Sequence, residues 1–166
     1  MTSHVDIDWA SDSTHRISVS SHCVFIDNVV VLWGSKKQNG LALSTIEVEY
    51  MALAYGVKEA LWESNLINES SLHVNKPIPT LNDYRAAVFI TTNPGSTKGA
   101  KHIDIKYHFV KDIIEQGDII LQHCSSKELV ANIFTQPLDT HKFTKYKDIL
   151  GLSSHNMLEH PPCGGD

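Results

Sequence analysis

The chain has 166 residues, 42% hydrophobic and 20% charged, enough for one globular domain to bury a core without disulfides or a structural metal. Its net charge of −5 argues against nucleic-acid binding through bulk charge alone, although it leaves room for a local basic surface. No apolar run reaches bilayer-spanning length, MTSHVDIDWA does not read as a signal peptide, and Cys23, Cys124 and Cys163 form no CxxC pair, so a reduced, intracellular setting without membrane contact is expected.

Taken in chain order, the first 34 residues read as strands. His4 to Trp9 alternates apolar and polar residues with the period of a strand. Cys23–Ile26 and Val29–Trp33 are β-rich runs, and Asp27-Asn28 between them suits a hairpin turn. Ser44-Thr45-Ile46-Glu47 has the spacing of a capping box, and Ile46, Tyr50, Leu53, Val57 and Leu61 then recur at helical spacing to about Leu66. Pro77 and Pro79 precede a short extended piece, and a short helix is predicted from Asp83 to about Thr91. His102 to Gln116 reads as a helix closed by Gly117, and Asp118–Gln122 as a strand. Ser125-Ser126-Lys127-Glu128 resembles a second capping box and predicts a helix through Phe134. A last helix covers about 139–150, which makes 1–152 one domain and 153–166 a disordered tail. Strands followed by alternating elements predict an α/β fold whose mixed sheet is covered by helices on both faces.

Carboxylates are unusual inside strands, yet Asp6 and Asp8 point to one side of the first strand while Val5, Ile7 and Trp9 point to the other. If that strand is central, an unpaired buried acid is costly, and a metal site resolves the conflict. An edge strand with both acids in water is the bland alternative. Glu49 sits at the border of the apolar stripe of the long helix and has no capping role, so it is either a site residue or a first-turn acid. Asp83 at the end of an extended segment is either a helix cap or a group facing the crevice at the strand ends. Together these acids suit Mg²⁺, which prefers hard oxygen ligands and shares phosphate oxygens with a substrate. A cluster at 98–111 carries Lys98, Lys101, His102, Lys106 and Lys111, either a solvated helix face or a phosphate-binding surface. Ten histidines and the pairs His22-Cys23 and His123-Cys124 raise zinc, without ligand spacing to support it.

The motifs around these acids resemble a known family. Asp6-Ile7-Asp8-Trp9-Ala10 resembles the D-x-D-W-A opening of the ribonuclease H domain that ends the Pol polyprotein of copia-type LTR retrotransposons. Cys23-Val24-Phe25, the run Trp33 to Gln38, and Ala42-Leu43-Ser44 with Glu47 to Leu53 are similar to its C-V-F, W-x-S-K-K-Q and A-L-S-x-x-E-A-E-Y-M-A-L blocks. Asp83-Tyr84-Arg85-Ala86-Ala87 parallels D-N-Q-A-A, Lys101 to Phe109 parallels K-H-I-D-I-R-Y-H-F, and Leu129 to Leu138 parallels L-A-D-I-F-T-K-P-L. The matches are in order and run from Asp6 to about Leu152.

The resemblance implies a five-stranded mixed sheet flanked by helices on both faces. It also implies endonucleolytic hydrolysis of the RNA strand of an RNA–DNA hybrid by two Mg²⁺ ions, with Mn²⁺ as a substitute, and a reverse transcriptase domain in the parent polyprotein. Carried over by position, Asp6 would bridge the metals, and Glu49 and Asp83 would complete their coordination. The fourth acid of the family falls on Asn132, which keeps an oxygen but loses the charge, so weakened activity is expected. Milder departures are Ser18 to His22 in place of a turn reading S-T-S-G-Y, Tyr84 and Arg85 beside the third acid, and Gln136 in place of Lys. Lys36, Lys37, Lys98, Lys101, His102 and Lys106 would contact hybrid phosphates, which position a duplex without reading its sequence. The alternative is a catalytically inactive relic that still binds nucleic acid or a partner.

Overall fold

A computed structural model describes residues 1–8, 18–38, 45–84 and 101–152, with the side chains of 45–47 and 101–104 outside that description. Strands β1 (Thr2–Asp8), β2 (Val19–Ile26) and β3 (Val29–Lys37) pair antiparallel. Asp27 and Asn28 turn between β2 and β3 at φ 47° and 66°, values that two-residue hairpins need and that Asp and Asn tolerate. Helix α1 (Thr45–Glu69) leads to β4 (Ile78–Asn82), which lies parallel to β1. Helix α2 (Lys101–Glu115) ends at Gly117, whose φ of 75° is the left-handed close expected there, and β5 (Ile119–His123) pairs parallel with β4. A 3-10 helix (Val130–Phe134) and helix α3 (Thr140–Ile149), capped by Asp139 accepting from the Lys142 amide, complete the described chain.

The sheet order is β3-β2-β1-β4-β5, so β1 is the central strand. That removes the reading of Asp6 on a solvated edge. Strand alternation divides the core in two. Leu53, Val57, Ile78, Val110 and Ile119 pack under α1 and α2 on one face. Cys23, Phe25, Leu129, Val130, Tyr146 and Leu150 pack under the 3-10 helix and α3 on the other. The five-stranded mixed sheet with helices on both faces is therefore present as expected.

Three local expectations change. The residues Val19 to His22, read as a turn, are the start of β2. Small hydroxyls make this possible: Ser21 Oγ donates to the Ala131 carbonyl at 2.8 Å, and Ser20 Oγ accepts from Gln38 Nε2 at 2.8 Å. Strand β3 runs on past Trp33 to Lys37, which carries Lys36 and Lys37 into the sheet. The second capping box does not open an α-helix. The amides of Glu128 and Leu129 both donate to the Ser125 carbonyl, and Val130–Phe134 winds as a 3-10 helix without a side-chain cap. The Ser126 carbonyl, which an α-helix would use internally, instead accepts from Asn132 Nδ2 at 2.8 Å and Tyr146 Oη at 2.9 Å. Asp83 and Tyr84 are not helical, and the rest of the short helix expected to Thr91 lies outside the described residues, as do Trp9, the Ser44 cap and the tail 153–166.

Candidate active site

The central position of β1 decides where its acids lie. Asp6 is only 5% exposed. The parallel register pairs Ser3 with Thr80 and His4 with Leu81, and continuing it by two residues sets Asp83 beside Asp6. Asn82 fixes that corner. Its Nδ2 donates to the Val5 carbonyl at 3.1 Å, and its Oδ1 accepts from the Tyr84 amide at 2.9 Å, which turns the chain at Asp83.

The third acid comes from α1. Gly56, two turns beyond Glu49 on the same helix face, lets α1 settle on β1: a Cβ there would lie 2.2 Å from Val5 Cγ2. This close approach buries Glu49 against the acids of the sheet. Glu49 Oε2 has no hydrogen-bond partner. Burial, then Asp83 and Asp6, push the Glu49 carboxyl up from its ordinary 4.5 to about 8. Burial also raises Asp6 to about 6, opposed by a hydrogen bond from Thr135 and reinforced by Asp83 and Asp8. Asp83 is raised by burial, with His123 acting in the opposite sense. The effect of Asp83 on Asp6, and of both on Glu49, places the three acids in one electrostatic cluster.

Asn132 enters from the far side of the sheet. Ser21, opposite Asp6 in the β1–β2 register, holds the 3-10 helix through Ala131. One turn of that helix joins Asn132 to Thr135, whose Oγ1 donates to Asp6 Oδ2 at 2.5 Å. Asn132 is 2% exposed, its Nδ2 is committed to Ser126, and its Oδ1 is buried without a partner. Thr135, Asn82 and Gly56 escaped sequence reasoning. Thr135 lies inside the L-A-D-I-F-T-K-P-L resemblance, three residues after the fourth acid position, and was the one with a signal.

The donor set fits divalent cations. Its ligands are oxygens, among them the buried and unpartnered Glu49 Oε2, and a cation would offset the burial that raises all three acids and the repulsion that adds to it at Asp6 and Glu49. Among the described residues, no three His, Cys, Asp or Glu side chains are grouped to hold a single ion by themselves. Mg²⁺ commonly takes one or two carboxylates and completes its shell with water and substrate phosphate. Lys36, Lys37 and Lys106 line one cavity, between β3, α1 and α2. Lys98 and the side chains of Lys101 and His102 lie outside the described residues. His22 and Cys23, adjacent on β2, turn to opposite faces: His22 packs edge-on to Tyr55 of α1, and Cys23 joins the other core.

Glu49 gives a test that needs no substrate. Without divalent ions the folded protein keeps the Glu49 proton up to about pH 8, whereas the unfolded chain releases it near 4.5. The unfolded state binds fewer protons across that window, so stability falls as pH rises through it. Glu49→Gln is expected to flatten the fall, with a gain on the order of a few kcal/mol at most by pH 8. Thermal unfolding from pH 5 to 9 in chelator checks this, and an unchanged slope would contradict a buried, protonated Glu49.

No protein-family model matches the chain. It is 29% identical over 160 residues to the retrovirus-related Pol polyprotein from transposon RE2 of Arabidopsis thaliana, covering 96% of this chain and 11% of that protein. It is 28% identical over 152 residues to the corresponding polyprotein from transposon TNT 1-94 of Nicotiana tabacum, covering 92% of this chain and 11% of that protein. The homologues are thus copia-type Pol polyproteins, and the chain spans about a tenth of their length. Among solved structures, LC11-RNase H1 in complex with RNA/DNA hybrid superposes with a TM-score of 0.61 at 9% identity, over 81% of this chain and 92% of that one. The N-terminal RNase H domain of rv2228c from Mycobacterium tuberculosis gives 0.61 at 10% identity, over 89% and 95%. The fold is that of the ribonucleases H.

Proposed function

We propose that this domain is a retrotransposon-derived ribonuclease H that hydrolyses the RNA strand of RNA–DNA hybrids, weakened by Asn132. What supports the reading is the charge coupling of Glu49 to Asp6 and Asp83, contributed by α1, β1 and the residue that follows β4, on a sheet of ribonuclease H topology. Asp6, Glu49 and Asp83 are the proposed metal ligands and, with Asn132, the proposed catalytic set. Two divalent ions there would activate a water and stabilise the leaving oxygen of the phosphodiester.

The chain's own residues do the rest. Thr135 holds one oxygen of Asp6 and leaves the other for coordination. Glu49, buried with Oε2 unpartnered, would give up its proton on holding a cation, so that binding would weaken as pH falls. Asn132 offers a neutral oxygen where a carboxylate would offset charge. Lys36, Lys37 and Lys106, with Lys98, Lys101 and His102, are the proposed contacts to hybrid phosphates. The second reading, a binding module without catalysis, rests on the commitment of the Asn132 amide to Ser126.

Labelled RNA–DNA hybrid, RNA duplex and DNA duplex offered in Mg²⁺ or Mn²⁺ separate the two. Cleavage confined to the RNA strand of the hybrid, and stopped by chelation, is expected. Hybrid binding without cleavage in either ion would establish the binding module instead. Thr135→Val should lower hybrid cleavage by about 10–100-fold, the usual effect of removing a group that orients a metal ligand. Thr135→Ser, which keeps the hydroxyl, should recover most of it, and equal activity of Val and Ser variants would dismiss the role given to this bond.

A further inference from the structure

A cavity of about 410 Å³ lies between the end of β3, α1 and α2. Its described lining holds four lysines, Lys36, Lys37, Lys58 and Lys106, and no carboxylate. Its walls include Met51, Tyr55 and Phe109. Tyr55 is held edge-on by His22 at 5.1 Å between ring centroids, and Lys36 Nζ stands 5.4 Å from the Tyr55 ring centroid. A smooth duplex has no need of such a recess, because its bases are stacked inside it. The combination of apolar walls and a lysine rim matches an unpaired nucleotide, whose base takes the walls and whose phosphates take the ammonium groups.

The position agrees. Lys37 pairs with Val19, which pairs with Asp8, so the rim lies two strand spacings, roughly 10 Å, from the end of β1. Lys58 is nine residues beyond Glu49 on α1, about 13 Å along the axis at ~1.5 Å per residue. At ~3.4 Å of rise per nucleotide, the recess begins within a few nucleotides of the carboxylates.

We propose that this cavity binds a single-stranded polynucleotide flank of the hybrid, with one unstacked base against Met51 and Phe109 and its phosphate on Lys58, while Lys36 and Lys106 hold the phosphates where the flank joins the duplex. This rests on the hybrid reading above and extends it from duplex to duplex–single-strand junction. It gives the domain a preference for hybrids carrying an unpaired extension. Lys58 is exposed, so its replacement leaves the core intact.

The test compares binding of fluorescent hybrids, blunt or with a ten-nucleotide unpaired extension, by anisotropy across a salt series, in chelator to separate binding from cleavage. Wild type is expected to bind the extended hybrid at least fivefold tighter. Lys58→Glu should abolish that advantage, with blunt-hybrid affinity unchanged, and Lys58→Gln should lie between them. The advantage should also weaken with salt, as phosphate contacts do. No preference for the extended hybrid, or equal weakening of both substrates by Lys58→Glu, would overturn the proposal. If cleavage is absent but the extension advantage persists, the enzymatic reading fails and the junction site stands.

Discussion

Asp6→Asn is expected to reduce cleavage of an RNA–DNA hybrid by about 10²–10⁴-fold, the several kcal/mol that metal-ion catalysis supplies. The fold should survive the change. An asparagine oxygen at this position can still accept from Thr135, which donates to Asp6 Oδ2 at 2.5 Å. Removing an acid that burial already raises to about 6 also relieves Glu49 of one neighbour. Hybrid affinity in chelator should therefore match wild type while turnover is lost. Cleavage rates at saturating hybrid, with circular dichroism as the control on folding, measure both halves. Retention of most activity would remove Asp6 from the centre of the site.

The second large effect concerns Asn132. Asn132→Asp is expected to raise cleavage at limiting Mg²⁺ by about tenfold or more, because ligand charge sets divalent-ion affinity. The cost appears without metal. Asn132 is buried and its Nδ2 donates to Ser126, so an aspartate there replaces a donor with an acceptor facing a carbonyl. A loss of about 1–3 kcal/mol in the metal-free protein follows from one unmatched buried polar group. The Tyr146 hydroxyl, which also donates to Ser126, can turn toward the new carboxylate and recover part of it. The variant should thus melt lower than wild type in chelator and gain more from Mg²⁺. A rate unchanged at every Mg²⁺ concentration would show that position 132 does not contribute to coordination.

The parts of the fold visible in the sequence were those set by local pattern. Alternation marked β1, the Asp27-Asn28 pair marked the hairpin, and Gly117 marked the end of α2. Asp6, Glu49 and Asp83 could be suspected from their elements, but only the ordered motif resemblance joined acids so far apart in sequence. What stayed hidden was set by tertiary partners. The capping-box spacing at Ser125 to Glu128 was misleading because Asn132 and Tyr146 take the Ser126 carbonyl that a helix would need. The family motif reads the start of β2 as a turn, whereas its two serines are buried in the strand, each satisfied by a residue remote in sequence. Gly56 carries no local signature, since its role is the space that Val5 requires. Thr135 has no local signature of its role, since its partner Asp6 is 129 residues away.

The proposed site of three acids and a neutral fourth position leads to one decisive measurement, single-turnover cleavage of a labelled RNA–DNA hybrid by the wild-type chain beside Asp6→Asn in Mg²⁺. Slow, chelator-sensitive cutting of the RNA strand by wild type and none by the variant is the expected result. Wild-type protein that is folded and binds the hybrid, yet cuts no faster than Asp6→Asn in either Mg²⁺ or Mn²⁺, would contradict it.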